Sequence, residues 1–296
     1  MHSTKRIFVA TDFSESSDEA LRQAHQISVI SSAKIAVCHV LPDLLSINTL
    51  FPQRTESAVV QAASIEAKVR DVLASQVARC LPRAEVEMLV TQGTDYAAIV
   101  QSAENWAADL IVVGNAGRSG ISSHLGRVAE LVTRHAHCAT LVARPTTSRG
   151  VVLVATDLSD PAMPAVAAGA EQARLRGANL VVMHAIDFAS VAVSLEEIAI
   201  DLMKSSSSWN LDSEVRKLIE ENLKKALVRC EAKGETMVVQ GSAASAIVRC
   251  ADELDAQLLV IGTRGRTGLT RLLLGSVAER VARTAACPVL AVRLAH

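Results

Sequence analysis

The sequence predicts an α/β fold built twice: two tandem domains, each a parallel sheet with helices on both faces. Three observations predict it. Short unbroken runs of Val, Ile, Leu and Ala alternate with longer segments of helical periodicity, and strands without polar alternation belong to parallel sheets buried on both sides. The chain also repeats itself. Ile7-Phe8-Val9-Ala10-Thr11-Asp12-Phe13-Ser14 returns as Val152-Leu153-Val154-Ala155-Thr156-Asp157-Leu158-Ser159, and Ala108-Asp109-Leu110-Ile111-Val112-Val113-Gly114 returns as Ala256-Gln257-Leu258-Leu259-Val260-Ile261-Gly262. Finally, a length of 296 residues suits two domains of ordinary size. The repeat places them at 1–146 and 150–296. The joint, Arg144-Pro145-Thr146-Thr147-Ser148-Arg149-Gly150, is too short to hold them far apart.

In the first copy, Ile7 to Ala10 reads as a buried strand. Ser14 or Ser16 could cap the helix after it, whose apolar side holds Ala20, Leu21, Ala24, Ile27 and either Ile30 or Val29. Ile35 to Val40 is the second strand, residues 41–54 a proline-containing loop and 55–80 a long helix. Glu85 to Val90 is the third strand, and Thr94 or Asp95 starts a helix running to Ala107. Leu110 to Val113, a helix at Leu125 to Arg134 and a strand at Ala139 to Ala143 complete the copy.

The second copy repeats these strands at Val151 to Ala155, Asn179 to His184, Thr236 to Gln240, Leu258 to Ile261 and Val289 to Val292. Its irregular stretch, 187–211, is longer, with Ser205 to Ser208 in a row as a mobile loop and a short extra helix over Val193 to Met203. A helix from Asp212 to about Ala232 follows, with Val215, Leu218, Ile219, Leu223 and Leu227 as its stripe.

Composition narrows the function. Half the residues are hydrophobic but aromatics are only 2%, so aliphatic side chains build the cores. Lys and Arg total 30 against 31 Asp and Glu, which leaves no basic excess for a nucleic-acid backbone. The first residues enter a strand at once and no run of about 18 uncharged apolar residues occurs, so the expectation is a cytoplasmic chain with no membrane span. Six scattered cysteines without a C-x-x-C pair fit reduced thiols.

The stretch with chemistry in it is Gly262-Thr263-Arg264-Gly265, followed by Gly275-Ser276. An apolar strand leads in and a helical pattern leads out. Glycines let a backbone approach a ligand closely, and the first amides of a helix have no intrahelical acceptors, so the place suits an anion. Ser276 could add a hydroxyl. The loop lacks the Gly-Lys-[Ser/Thr] ending of a Walker A motif. Glycine loops also serve plain turns. In an open parallel sheet, ligands bind beyond the carboxyl ends of the strands, which is where Asp157, Gly241 and Gly262 fall. Asp157 could hydrogen-bond a ribose or an adenine amine, or make a local Asx turn. Gly241 fits a turn and close packing better than a ligand contact. Arg264, Arg266 and Arg271 could clamp phosphates or face solvent.

Histidines and cysteines have two readings each. His39 and His184 end equivalent strands near the cleft mouths, and a structural hydrogen bond is favoured over a ligand contact. His135, His137 and Cys138 form the densest cluster, but no fourth ligand has a recognisable spacing for zinc.

The V-A-T-D-x-S start of each copy, Gln240-Gly241, the Gly114 strand, Cys287-Pro288-Val289-Leu290-Ala291-Val292 and above all the G-x2-G-x9-G-[ST] loop together resemble the universal stress protein family, across the whole chain. The resemblance implies a Rossmann-like five-stranded parallel sheet of order 3-2-1-4-5 in each copy. It implies dimerisation through the last strands, here as an intramolecular pseudo-dimer, with a homodimer as the other assembly. It also implies an ATP site, with Mg2+ as the accompanying metal. Asp157, Ala185 and Ile186 would touch the adenosine end, and Gly262, Gly265, Gly275, Ser276 and Val277 the ribose and phosphates.

The first copy departs from the pattern. Eight residues separate Gly117 from Gly126, against nine between Gly265 and Gly275, and Arg127 stands where the second copy has Ser276. Arg127 could attract an anion or fill the pocket. Asp12, Val40, Gly114, Gly117, Gly126 and Arg127 therefore outline a weaker first site. The expectation is an ATP-binding stress-response protein, a nucleotide-dependent switch with at most slow ATPase activity, acting on a protein partner that the sequence does not name. No residue stands out as an obligatory base for hydrolysis. The alternative is a non-catalytic signalling or interaction module whose first site takes another ligand.

Overall fold

A computed structural model describes residues 4–42, 55–116, 125–146, 150–186, 209–263 and 274–293. In the first half, five strands alternate with helices: β1 (Arg6–Ala10), α1 (Glu15–Ser31), β2 (Lys34–Leu41), α2 (Thr55–Cys80), β3 (Val86–Gln92), α3 (Asp95–Asn105), β4 (Leu110–Gly114), α4 (Arg127–His135) and β5 (Ala139–Ala143). The second half has β6 (Val151–Ala155), a 3-10 turn at Asp160–Ala162, α5 (Met163–Arg176), β7 (Asn179–Ile186), α6 (Trp209–Arg229), β8 (Glu235–Gln240), α7 (Ala243–Glu253), β9 (Ala256–Gly262), α8 (Ser276–Thr284) and β10 (Val289–Val292). The chain divides into two units, Met1–Pro145 and Thr146–His296.

Strand order in the first unit is β3-β2-β1-β4-β5, and in the second β8-β7-β6-β9-β10. Neighbouring strands within each unit pair in parallel. From β1 the chain steps first to one side of the sheet and later to the other. Right-handed crossovers then place helices on both faces. The helices sort accordingly: α1 packs against α2, and α3 against α4. The switch points lie between β1 and β4 and between β6 and β9, the position at whose carboxyl end open α/β sheets take their ligands.

The central strands are apolar end to end because both their faces are covered. Ile7, Phe8 and Val9 of β1 and Val152, Leu153 and Val154 of β6 are wholly buried. Helix α1 presents buried Ala20, Leu21, Ala24 and Ile27 to the sheet. Ser14 caps it, its side chain accepting from the Ser17 amide at 3.2 Å. In the second unit, Gly169 lets α5 come close to β6, since a Cβ there would strike the Val154 side chain. Helix α5 ends in Gly177 at φ 61°, the left-handed stop that favours glycine.

Several element boundaries differ from the sequence expectation. Helix α6 starts at Trp209 and ends at Arg229, shifted towards the N-terminus from the expected Asp212 to Ala232. Helix α4 begins at Arg127 rather than Leu125, because Gly126 is extended at φ −64°, ψ 146°. The 3-10 turn at Asp160–Ala162 was not foreseen; Pro161 lies in it, with no amide to donate. The expected loop at 41–54 starts late, because Leu41 still belongs to β2; its residues 43–54, the helix over Val193 to Met203 and the serine run at Ser205 to Ser208 lie outside the described residues.

Candidate functional site

The first strand of each unit ends in the same strained turn. Phe13 has φ 67° and Leu158 φ 63°, a left-handed backbone that non-glycine residues seldom adopt. Side chains on either side hold it. The Phe13 amide donates to Thr11 Oγ1 and the Leu158 amide to Thr156 Oγ1, both at 3.0 Å. Asp12 Oδ1 accepts from the Ser14 amide at 3.0 Å and its hydroxyl at 2.5 Å, and Asp157 Oδ1 accepts from Ser159 in the same way at 3.0 and 2.6 Å. Both aspartates make the local Asx turn. Each has a second carboxylate oxygen besides the one used in that turn.

In the second unit the strand ends surround a cavity of about 500 Å³. Asp157, Ala185, Gly262, Gly275, Ser276 and Val277, spread over most of the unit's sequence, all line it. Its lining mixes two chemistries. Ala155, Met183, Ala185, Ile247 and Ile261 are apolar, while Thr156, Asp157, His184, Thr263 and Ser276 supply polar groups. The floor of the glycine loop is pinned: the Thr263 amide donates to the Val292 carbonyl at 2.9 Å, and the Gly275 amide to the Thr263 carbonyl at 3.0 Å. Gly275 is the N-cap of α8 and has no side chain to cap it. The first bond of the helix runs from the Glu279 amide to the Gly275 carbonyl, so the amides of Ser276, Val277 and Ala278 have no intrahelical acceptor. All three residues line the cavity, which puts the positive end of the helix dipole at its wall.

Ile186 does not line this space. It is buried, and its carbonyl accepts from the Gly241 amide at 2.9 Å. Gly241 has φ 132°, so its place in the turn between β8 and α7 calls for glycine. Gly265 and the arginines 264, 266 and 271 lie outside the described residues. Ala243 and Ile247 of α7 also line the cavity, and nothing in the sequence singles them out beyond following Gly241.

The first unit repeats the frame with different side chains. The Gly126 amide donates to the Asn115 carbonyl at 2.7 Å, matching Gly275 and Thr263. Arg127 is the first residue of α4, and Val40 is half-buried on β2 opposite Thr91. Gly117 is outside the described residues. Ser16 reaches across from α1 to the end of β4. Its hydroxyl donates to Asn115 Oδ1 at 2.9 Å and accepts from the Ala116 amide at 3.1 Å. Gly114 lies so close to Ser16 that an added Cβ would come within 2.8 Å of the Ser16 backbone.

His39 and His184 serve the turns. Their Nδ1 atoms lie 2.8 and 2.7 Å from the carbonyl oxygens of Thr11 and Thr156. His39 also stacks on Phe13, with ring centroids 4.3 Å apart. His184 lines the cavity as well. His135 packs against the Tyr96 ring, and His137 Nε2 lies 3.0 Å from the Ala108 carbonyl. Among the described residues, no three His, Cys, Asp or Glu side chains gather as a metal site. All six cysteines are free thiols. Burial pushes Cys38 up to about 12 and raises Cys80, Cys230 and Cys250, the opposite of an activated nucleophile.

The profile of the Universal stress protein family matches twice, over residues 3–144 and 149–293. The chain belongs to the universal stress protein family. Universal stress protein MJ0531 of Methanocaldococcus jannaschii is 37% identical over 146 residues, 48% of this chain and 81% of that protein. Universal stress protein Rv2623 of Mycobacterium tuberculosis is 32% identical over 243 residues, 79% of this chain and 73% of that one. A solved universal stress protein from Archaeoglobus fulgidus shares the fold over 99% of both chains, with a TM-score of 0.69 and 19% identity. The tandem arrangement is thus a universal stress protein domain used twice. Among the described residues, no helix is long and apolar enough to cross a membrane.

Proposed function

We propose that the second domain binds ATP, and that the chain is a stress-response protein switched by nucleotide occupancy. One observation carries this reading: Asp157, Gly262, Gly275 and Ser276 converge on a single cavity of about 500 Å³. That size lies within the roughly 300–1,000 Å³ of small-molecule sites. The chemistry fits the parts of the ligand. The apolar side chains of Met183, Ala185 and Ile247 suit an adenine face, and the Asp157 carboxylate suits a hydroxyl or amine donor. The Ser276, Val277 and Ala278 amides, with the Ser276 hydroxyl, suit phosphate oxygens. Asp157 is also the carboxylate placed to share a Mg2+ that arrives with the nucleotide, which would neutralise phosphate charge.

Hydrolysis has less support. Among the described residues the lining offers one carboxylate and one histidine, and both already hold the turn after β6. A site of this kind binds better than it cleaves, so occupancy rather than turnover would carry the signal. Native mass spectrometry tests the reading. Chains stripped of bound nucleotide, given Mg-ATP, should take up one nucleotide, and Gly275→Val and Ser276→Ala should weaken or abolish uptake. A correctly folded wild-type chain that takes up none refutes ATP binding and leaves the interaction module as the function.

A further inference from the structure

The two domains differ most at the point where the glycine loop meets the first helix. The repeat aligns Asp12-Phe13-Ser14-Glu15-Ser16-Ser17 with Asp157-Leu158-Ser159-Asp160-Pro161-Ala162, so Ser16 and Pro161 are equivalent. It likewise aligns Asn115 with Thr263. In the first domain, helix α1 starts at Glu15 and presses Ser16 onto Gly114. The Ser16 hydroxyl satisfies the Ala116 amide and is itself anchored on Asn115 Oδ1. A loop amide that could face a phosphate thus already has an acceptor from its own chain. In the second domain, Asp160-Pro161-Ala162 forms a 3-10 turn and the regular helix starts later, at Met163. Pro161 has no hydroxyl to reach the loop, and Ala162, Gly262 and Thr263 line open cavity.

Resting on the nucleotide reading above, we infer that this pair of residues decides which domain admits the ligand. Ser16 with Asn115 clasps the first crevice shut, and Pro161 with Thr263 leaves the second open. The loop-length and Arg127 differences would weaken a first site; the clasp further takes up a loop amide that a phosphate would need. The first domain is then a permanently filled half, holding its closed form without nucleotide, and only the second responds to ATP.

Two experiments test it. The first transplants the open turn. Ser16→Pro/Asn115→Thr is made in a Gly275→Val background, where the second site is disabled. Proline is tolerated in the first turn of a helix, so α1 should survive. Mg-ATP uptake by native mass spectrometry should read one per wild-type chain, none for Gly275→Val and one again, more weakly held, for the triple variant. The second experiment uses Ser16→Ala and needs no nucleotide: exchange of the Ala116 amide with solvent should speed up at least tenfold. Recovery of uptake together with faster Ala116 exchange supports the clasp. A folded triple variant that stays empty, unchanged Ala116 exchange, or two equal sites in the wild type each overturn it while leaving ATP binding in the second domain intact. A wild type that takes up no ATP overturns the nucleotide reading, and the inference with it.

Discussion

His184 Nδ1 lies 2.7 Å from the Thr156 carbonyl oxygen, across the ends of β7 and β6. A carbonyl only accepts, so Nδ1 carries the proton and Nε2 of the neutral ring is left as an acceptor. His39 stands in the same relation to Thr11 at 2.8 Å. Long-range nitrogen–proton correlation spectra at pH 8 should therefore show both rings as the Nδ1–H tautomer. An Nε2–H pattern for either ring would contradict the geometry. Replacing His184 by Ala should lower stability by about 1 kcal/mol, the usual net worth of one hydrogen bond at a part-buried site.

Asp157 has two duties that substitution can separate. Its Oδ1 holds the turn through Ser159, while its charge faces the cavity. Asn keeps an acceptor of the same shape but not the charge, so Asp157→Asn should cost the turn about 0.5–1 kcal/mol. Its ATP affinity should fall about tenfold or more, as charge-assisted hydrogen bonds are about twice as strong as neutral ones. Asp157→Ala should lose affinity and also about 1–2 kcal/mol of stability with the turn. Calorimetric titration paired with urea unfolding distinguishes these outcomes. Equal affinities for wild type and Asp157→Asn would remove the carboxylate from the site.

The two domains solve one packing problem in opposite ways. In the first, the Thr11 hydroxyl donates to Gln76 Oε1 at 2.8 Å, and Gln76 Nε2 donates to Asp18 Oδ1 at 2.7 Å. Arg79 closes the chain with an ion pair to Asp18 at 2.8 Å. In the second, Ala162 and Met163 stand where the first has Ser17 and Asp18, so the hydroxyl and carboxylate that anchor this network are missing there. A buried network is stable when complete and costly when cut. Gln76→Ala should destabilise the first domain by about 1–3 kcal/mol, read as faster amide exchange in β1 and β2, with β6 and β7 unaffected.

How much of this was legible in the sequence follows the range of the forces involved. The strands at Ala139–Ala143, Val151–Ala155 and Val289–Val292 fall where their apolar runs do, because burial on both faces leaves no polar ambiguity. Asp157, Gly262, Gly275 and Ser276 were found from the glycine spacing and the strand ends, and one cavity holds them all. Ile186 fell outside its lining, because the last residues of a strand alternate faces and the boundary of β7 runs two residues beyond His184. The Ser16 clasp was invisible for another reason. Ser16 read equally well as a helix cap, and its partners Asn115 and Ala116 are about a hundred residues away, joined only by the strand order. The 3-10 turn had a local signal in Pro161, which has no N–H to donate a backbone hydrogen bond there.

Cys38 gives the stability a pH dependence of known sign. Its side chain is wholly buried in β2, and burial raises its pKa from 9.0 to about 12. Below pH 9 the thiol is protonated in both folded and unfolded chains and has no effect. Above it, the unfolded chain loses the proton while the folded one keeps it, so folding becomes coupled to proton uptake. Stability should therefore fall by about 1.4 kcal/mol for each pH unit until the folded thiol itself ionises. Cys80, Cys230 and Cys250, also raised by burial, add to the loss in the same direction. Urea midpoints measured from pH 8 to 11 should decline for the wild type and decline less steeply for Cys38→Ala. The same curvature in both proteins would show that Cys38 is not held as the neutral thiol.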